Sequence, residues 1–258
     1  MYPAQSPIPS SSNQSPIPPS SNHEWFPQIL SDIRSEWRPF FLANQGYLQS
    51  IDRLLKLSGP NITPRGLEIF IGYQWVNPYN IKVVIIGKSP DPRLLPNGMT
   101  KAMGASYSLR PLDTDIKNLN TIYEELSRSI PGFTKPSHGY LETWGQQGVF
   151  FLNSSLTTLI GQSGAHPIQW KIFLDKTIEY IEKCSPNLCY IRWGQDAKKL
   201  PVSNSLMKFD AKQPVGNTNG QGFFGCNHFN LVNEHLMSRG IEPIDWTSIC
   251  RVQYKQTE

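Results

Sequence analysis

The chain has 258 residues, of which 38% are hydrophobic and 11% aromatic, enough for one large domain and too apolar for a wholly unfolded protein. Its formal net charge of +4 is mildly basic, which permits contact with nucleic acid without arguing for it. No apolar run approaches the roughly 20 residues that cross a bilayer, and no charged-then-apolar leader opens the chain. The four cysteines, Cys184, Cys189, Cys226 and Cys250, show neither C-x-x-C pairing nor histidines at metal spacing. These features argue against a membrane protein, a secreted disulfide scaffold and a zinc module, and reduced thiols are expected.

The opening segment is a tandem repeat. "QSPIPSSSN" (Gln5 to Asn13) is followed at once by "QSPIPPSSN" (Gln14 to Asn22). Serine and proline dominate it and almost nothing in it can be buried, so 1–23 is expected to be a disordered tail, partly polyproline II. A single domain is expected over 24–258. Helical spacing begins with Ile29, Ile33 and Trp37 and resumes with Leu48, Ile51, Leu54 and Leu55. Gly and Pro content makes 58–66 a loop, and a short helix over 67–71 precedes the first strand, 82–86.

That strand opens the most informative stretch, "VVIIGKSPDPR" (Val83 to Arg93). An apolar β-branched run stops at Gly87 and yields to a loop with Lys88, Ser89, Asp91 and Arg93 between prolines. Such a run reads as a buried parallel strand that delivers polar groups at its carboxyl end. Residues 103–109 follow as a short, small-residue-rich segment. "DIKNLNTIYEELSRSI" (115–130) is an amphipathic helix with Leu119, Ile122, Tyr123 and Leu126 on one face. "GVFFLNSSLTT" (148–158) is a second strand with a polar end at Asn153. A helix over 169–184, a third strand over 188–194 and a fourth within 206–214 come next. A last helix lies within 222–240, with Gly240 as its C-cap. Strands alternate with helices throughout, which predicts a three-layer α/β/α fold with a central four-stranded parallel sheet. The loops after Ile86, Leu152, Trp193 and Lys212 are predicted to converge at the carboxyl ends of the strands.

These segments carry a family resemblance. "KVVIIGKSP", "TIYEELSRSIPGF", "PSHGYLETWGQQGV", "GVFFLNSSLT", "YIRWG" and "GFFGCNHFNLVNEHLMSRGIEPIDW" closely resemble the family 1 uracil-DNA glycosylases, in order, from about Trp25 to Trp246. The resemblance implies DNA as a partner, no cofactor or metal, a monomer, no membrane association, and an intracellular site in the nucleus or another DNA-containing compartment. It also implies that a target nucleotide is extruded from the duplex and read in a pocket. Asn153 matches the family's uracil-reading Asn, whose amide offers a donor and an acceptor to a pyrimidine edge. Tyr107, in "GASYSL", matches the aromatic residue that stacks on the base.

Both catalytic signatures depart from the family pattern. Aligned on Gly87 and Pro90, "GKSPDP" sets Lys88 at the Gln of G-Q-D-P-Y-H and Ser89 at its catalytic Asp. Asp91 then stands at the Tyr that blocks a thymine methyl. In the second signature, H-P-S-P-L-S, Gln213 stands at the His, Asn217 at the intercalating Leu, and Thr218 keeps a hydroxyl. Between Pro92 and Gly104 the chain is several residues longer than the family pattern. A serine hydroxyl is uncharged at neutral pH and cannot stabilise an oxocarbenium ion as a carboxylate does. Loss of an acid/base group typically costs about 10²–10⁴ in rate. The expectation is therefore a catalytically inactive or strongly impaired member, an accessory that binds DNA or a replication or repair protein. An active glycosylase rewired around Asp91, for uracil or a related base, is the competing reading.

Other residues are open to two readings. Lys88 and Asp91 are close enough in sequence to pair with each other or, for Lys88, to point into the pocket. Gln195, at a family phosphate-contact position, Lys198 and His228 are candidate DNA contacts, and equally a solvated face or a helix cap. His138 and His166 are expected to make structural hydrogen bonds.

Overall fold

The computed structural model describes residues 25–252 other than 112 and 218. The repeat tail and Thr218 thus lie outside the described residues. Helices α1 (Trp25–Asp32), α2 (Arg38–Ala43) and α3 (Gln45–Leu57) come first. The two-residue strand β1 (Ile62–Thr63), α4 (Ile71–Trp75) and β2 (Val83–Gly87) follow. Next are α5 (Asn120–Ser129), α6 (Glu142–Gly145), β3 (Val149–Asn153), β4 (Thr158–Leu159) and α7 (Pro167–Cys184). β5 (Cys189–Trp193), β6 (Lys208–Ala211) and α8 (His228–Ser238) complete the order.

β2, β3, β5 and β6 form one sheet in the order β3-β2-β5-β6, and every pairing in it is parallel. Strand alternation divides the core. Val84, Ile86, Phe150, Leu152 and Tyr190 face the layer of α1, α2, α3 and α7, around Trp37, Phe41 and Phe173. Val83, Ile85, Val149, Phe151, Ile191 and Trp193 face α5 and α8, with Tyr123, Phe229 and Trp246. Both faces are covered, which is why these strands read as continuous apolar runs. The register sets Gly87 opposite Asn153, so the two polar strand ends emerge side by side.

Several expectations meet corrections. Leu54 is 49% exposed, because α3 turns only Leu48, Ile51 and Leu55 inward. The helix predicted from 115 starts as a 3-10 turn over Ile116–Leu119 and becomes α-helical at Asn120. The segment 148–158 is not one strand. β3 ends at Asn153, and β4 leaves the main sheet to pair with β1. Gly240 does close α8: at φ +69 it donates to the Met237 carbonyl while Ile241 donates to that of Leu236, a Schellman arrangement. Among the described residues no helix is long and apolar enough to cross a membrane.

Candidate functional site

A cavity of about 240 Å³ opens at the carboxyl ends of β2 and β3. The loop after β2 lines it from Gly87 to Arg93, with Tyr107, Asn118, Asn153, Ser163 and Gln213 around it. A larger hollow of about 670 Å³ lies at the opposite ends of the strands, beside Asn77, Lys82 and Gln147. Parallel sheets bind ligands at strand carboxyl ends, and the residues singled out by chemistry line the smaller cavity. Three of the four predicted loops meet there. The loop after Trp193 does not line it and reaches only its rim, through Asp196 and Lys88.

One wall is uncharged. Asn153 is 4% exposed, and its side-chain amide has no hydrogen-bond partner among the described residues. Buried amides are nearly always satisfied, so an unspent one at a cavity wall is a group awaiting a ligand or water. Gly87 makes room for it, because a Cβ there would stand 2.5 Å from Asn153 Oδ1 and 3.0 Å from Ser106 Cβ. The Tyr107 ring lies 3.4 Å from that same position, an ordinary contact distance.

Tyr107 is half-buried, and burial pushes its phenol well above the ordinary tyrosine value. It adopts φ +63, a left-handed conformation that costs a bulky residue about 1–3 kcal/mol. The surroundings hold it there. Its ring meets Trp193 edge-on at 5.3 Å, and the Ser106 hydroxyl donates to the Ile85 carbonyl at 3.0 Å. Behind it, the Trp193 indole N–H donates to His228 Nδ1 at 3.0 Å.

The facing wall is ionic and its bonds are made. Asp91 accepts from Arg93 Nη2 at 2.6 Å, from Arg93 Nε at 2.9 Å, and from Asn118 Nδ2 at 3.0 Å. Its hydrogen bonds to Arg93 raise that guanidinium above its ordinary value. Asp115 takes Arg93 Nη1 at 3.2 Å and Lys101 Nζ at 2.8 Å, and the Lys101 bond holds its carboxyl below the usual range. Lys101 also meets Asp113 at 3.1 Å. Among the described lining residues, Asp91 is the single carboxylate. Ser89 Oγ lies 2.9 Å from Ser163 Oγ.

Several candidate residues sit elsewhere than the sequence suggested. Lys88 lines the cavity, as one of its two readings had it, but does not pair with Asp91: it is exposed and reaches Asp196 at 3.7 Å, and Arg93 occupies Asp91. His228 is no surface contact. It is buried, burial drives its pKa down to about 4, and its Nδ1 serves Trp193. Lys198 and Arg192 share Asp210, at 3.6 and 2.9 Å. Gln195 is exposed beyond β5. Gln213 lines the cavity and packs beside Gly194. Asn217 is tied down, its amide donating to the Gln221 carbonyl at 3.1 Å. His138 and His166 make the expected structural bonds, with the Val252 carbonyl and Thr157 Oγ1. Among the described residues no acidic, His or Cys group could hold a metal ion.

The ionic wall is what sequence reasoning missed. Arg93 and Lys101 are the feet of a hairpin, closed by an antiparallel bridge between Leu94 and Thr100. Its signal was present as Asn97-Gly98 flanked by apolar residues, the strongest short-range hairpin cue.

No family model matches the chain. The uracil-DNA glycosylase of Escherichia coli O6:H1 is 37% identical over 216 residues, covering 82% of this chain and 91% of that protein. The uracil-DNA glycosylase of Salmonella arizonae is 37% identical over 198 residues, covering 74% of this chain and 83% of that protein. The crystal structure of mimivirus uracil-DNA glycosylase superposes with a TM-score of 0.78 at 29% identity, covering 86% of this chain and 88% of that one.

Proposed function

This chain belongs to the uracil-DNA glycosylase family, and on that premise we propose that its cavity receives an extruded pyrimidine nucleotide of DNA but cleaves the N-glycosyl bond far more slowly than an ordinary member. The unspent amide of buried Asn153, beside the Tyr107 ring, carries the binding half of this reading. An amide presents a donor and an acceptor to a pyrimidine edge, and the ring gives the base a face to stack on. Extrusion costs a few kcal/mol of unstacking, least from single-stranded DNA.

The impaired chemistry follows from the other wall. Ser89 is uncharged and faces Ser163. Gln213 can donate a hydrogen bond to a departing base but cannot titrate as a histidine does. Each of the two departures typically costs about 10²–10³ or more in rate, and the losses need not add in full.

A rewired glycosylase centred on Asp91 is favoured by one observation: that carboxylate lines the cavity. Its oxygens already accept from Arg93 and Asn118, which leaves few lone pairs free to orient a water. The deciding experiment follows uracil release from a single-stranded uracil-containing oligonucleotide, alongside binding of the same strand. Binding stronger than to the same strand with an abasic analogue in place of the uracil, with release at least about 10² slower than an ordinary member, is expected. Release at an ordinary rate would overturn the impaired reading. Residual release abolished by Asp91→Asn, with binding intact, would establish the rewired one.

A further inference from the structure

Where this fold holds a carboxamide in one orientation, it bonds both ends. Asn233 Nδ2 donates to the Ile244 carbonyl at 2.9 Å, and its Oδ1 accepts from Ile244 N, also at 2.9 Å. Gln147 Oε1 accepts from Asp245 N at 2.8 Å, and its Nε2 donates to Ser248 Oγ at 2.9 Å. Reversing Asn233 would set donor against donor and acceptor against acceptor, so the backbone fixes which end is which.

Asn153 lacks both ties. It is buried, it lines the cavity, and its amide is bonded at neither end among the described residues. The polar groups of the two strand ends are engaged with one another instead. Ser106 Oγ donates to the Ile85 carbonyl, Ser154 N to the Gly87 carbonyl at 2.9 Å, and Ser154 Oγ to the Lys88 carbonyl at 2.7 Å. Gly87 leaves room for either end of the amide, since it has no Cβ to meet the atom now 2.5 Å from that position. The last torsion of an asparagine is broad and close to two-fold, so its oxygen and nitrogen can exchange places. A second carboxamide, Gln213, lines the same cavity and is likewise unbonded among the described residues.

We infer that the cavity accepts cytosine as readily as uracil, because no protein contact fixes the amide that faces the base. The two bases present opposite orders along one edge. Uracil O4 accepts where cytosine N4 donates, and uracil N3–H donates where cytosine N3 accepts. Turned one way, Asn153 donates from Nδ2 to uracil O4 and accepts its N3–H. After a half-turn it accepts from cytosine N4 and donates to cytosine N3. Stacking on Tyr107 does not separate the two, since either ring has a face to offer. An amide fixed at both ends would favour one edge by about tenfold or more. The inference rests on the reading of the cavity as the seat of an extruded pyrimidine, and it widens the ligand class to unpaired pyrimidines of either edge.

The test uses the full chain and single strands of adenine that carry one central uracil, cytosine or abasic analogue. The uracil and cytosine nucleotides are 2′-fluorinated, so that neither base is released during the measurement. Fluorescence anisotropy is expected to give affinities for the uracil and cytosine strands within about threefold of each other, both about tenfold above the abasic strand. Asn153→Ala is expected to weaken both strands by the same factor, about tenfold, because one amide serves both bases. A larger preference of the wild type for either base would overturn the inference and leave the cavity reading intact. So would an Asn153→Ala variant that loses the uracil strand and keeps the cytosine strand at wild-type affinity. If neither base is bound above the abasic strand, the cavity reading falls together with the inference.

Discussion

The two walls of the cavity are built on opposite principles. On the side of Asn153, Tyr107 and Gly87 the groups are uncharged, and the buried amide keeps its hydrogen bonds unspent. On the side of Asp91, Arg93, Asn118 and Lys101 nearly every charged group already has a protein partner. A free amide costs stability and is retained where a ligand repays it. A saturated ion cluster holds a loop in place and has little left for chemistry. The proposed function rests on this contrast: a pocket that receives a base on one wall and has little free chemistry on the other.

Acidification probes the support behind the reading wall and has the largest expected effect. His228 is held down to about 4, from an ordinary 6.5, by burial, which outweighs the opposing charge of Asp210. A folded-state pKa below the unfolded one means that the unfolded chain binds the proton first. Stability from this group is therefore full above about pH 6.5 and is lost as pH falls towards 4, on the order of 3 kcal/mol in all. Thermal melts across that window should show the loss, and His228→Gln should flatten it. An unaltered slope in the variant would remove His228 from the account.

Gly87→Ala attacks the reading wall directly. Its Cβ would meet Asn153 Oδ1 at 2.5 Å, so the strand end or the amide must move. A loss of about 1–3 kcal/mol in denaturant unfolding is expected, together with loss of single-strand binding. Asp91→Asn tests the ionic wall. It leaves Arg93 less fully compensated and should cost about 1–2 kcal/mol of stability, less than breaking a fully buried pair, with binding of the uracil strand little changed. Asn153→Ala should give the reverse pattern: unchanged melting, and about tenfold weaker binding, or 1.4 kcal/mol, by fluorescence anisotropy. If Asp91→Asn weakens binding more than Asn153→Ala, the assignment of the two walls is inverted.

Three of the four strands of the sheet were legible because they are buried on both faces. "VVIIG", "VFFLN" and "CYIRW" could hardly be anything but central parallel strands. Asn153 and Tyr107, which line the cavity, were singled out through family resemblance, and Gly240 through capping chemistry. The role of His228 was not legible. Its position opening a helix suits a surface contact as well as a core bond, and only the indole of Trp193 distinguishes them. Nor was the partner of Asp91. Lys88 and Arg93 lie within three positions of it on either side, and spacing alone does not say which side chain folds back.

Local composition thus determined the strands, the helices and the order of the layers, because burial on one or two faces leaves a period that any reader of the chain can find. The tertiary structure alone decided which polar groups were consumed. Hydrogen bonds and ion pairs between residues far apart in the chain, such as Asp91 with Asn118 or Lys101 with Asp115, depend on where loops land at a strand's end. Whether an amide stays free or a carboxylate is already spoken for is a property of that meeting, and it carries no periodic mark in the sequence.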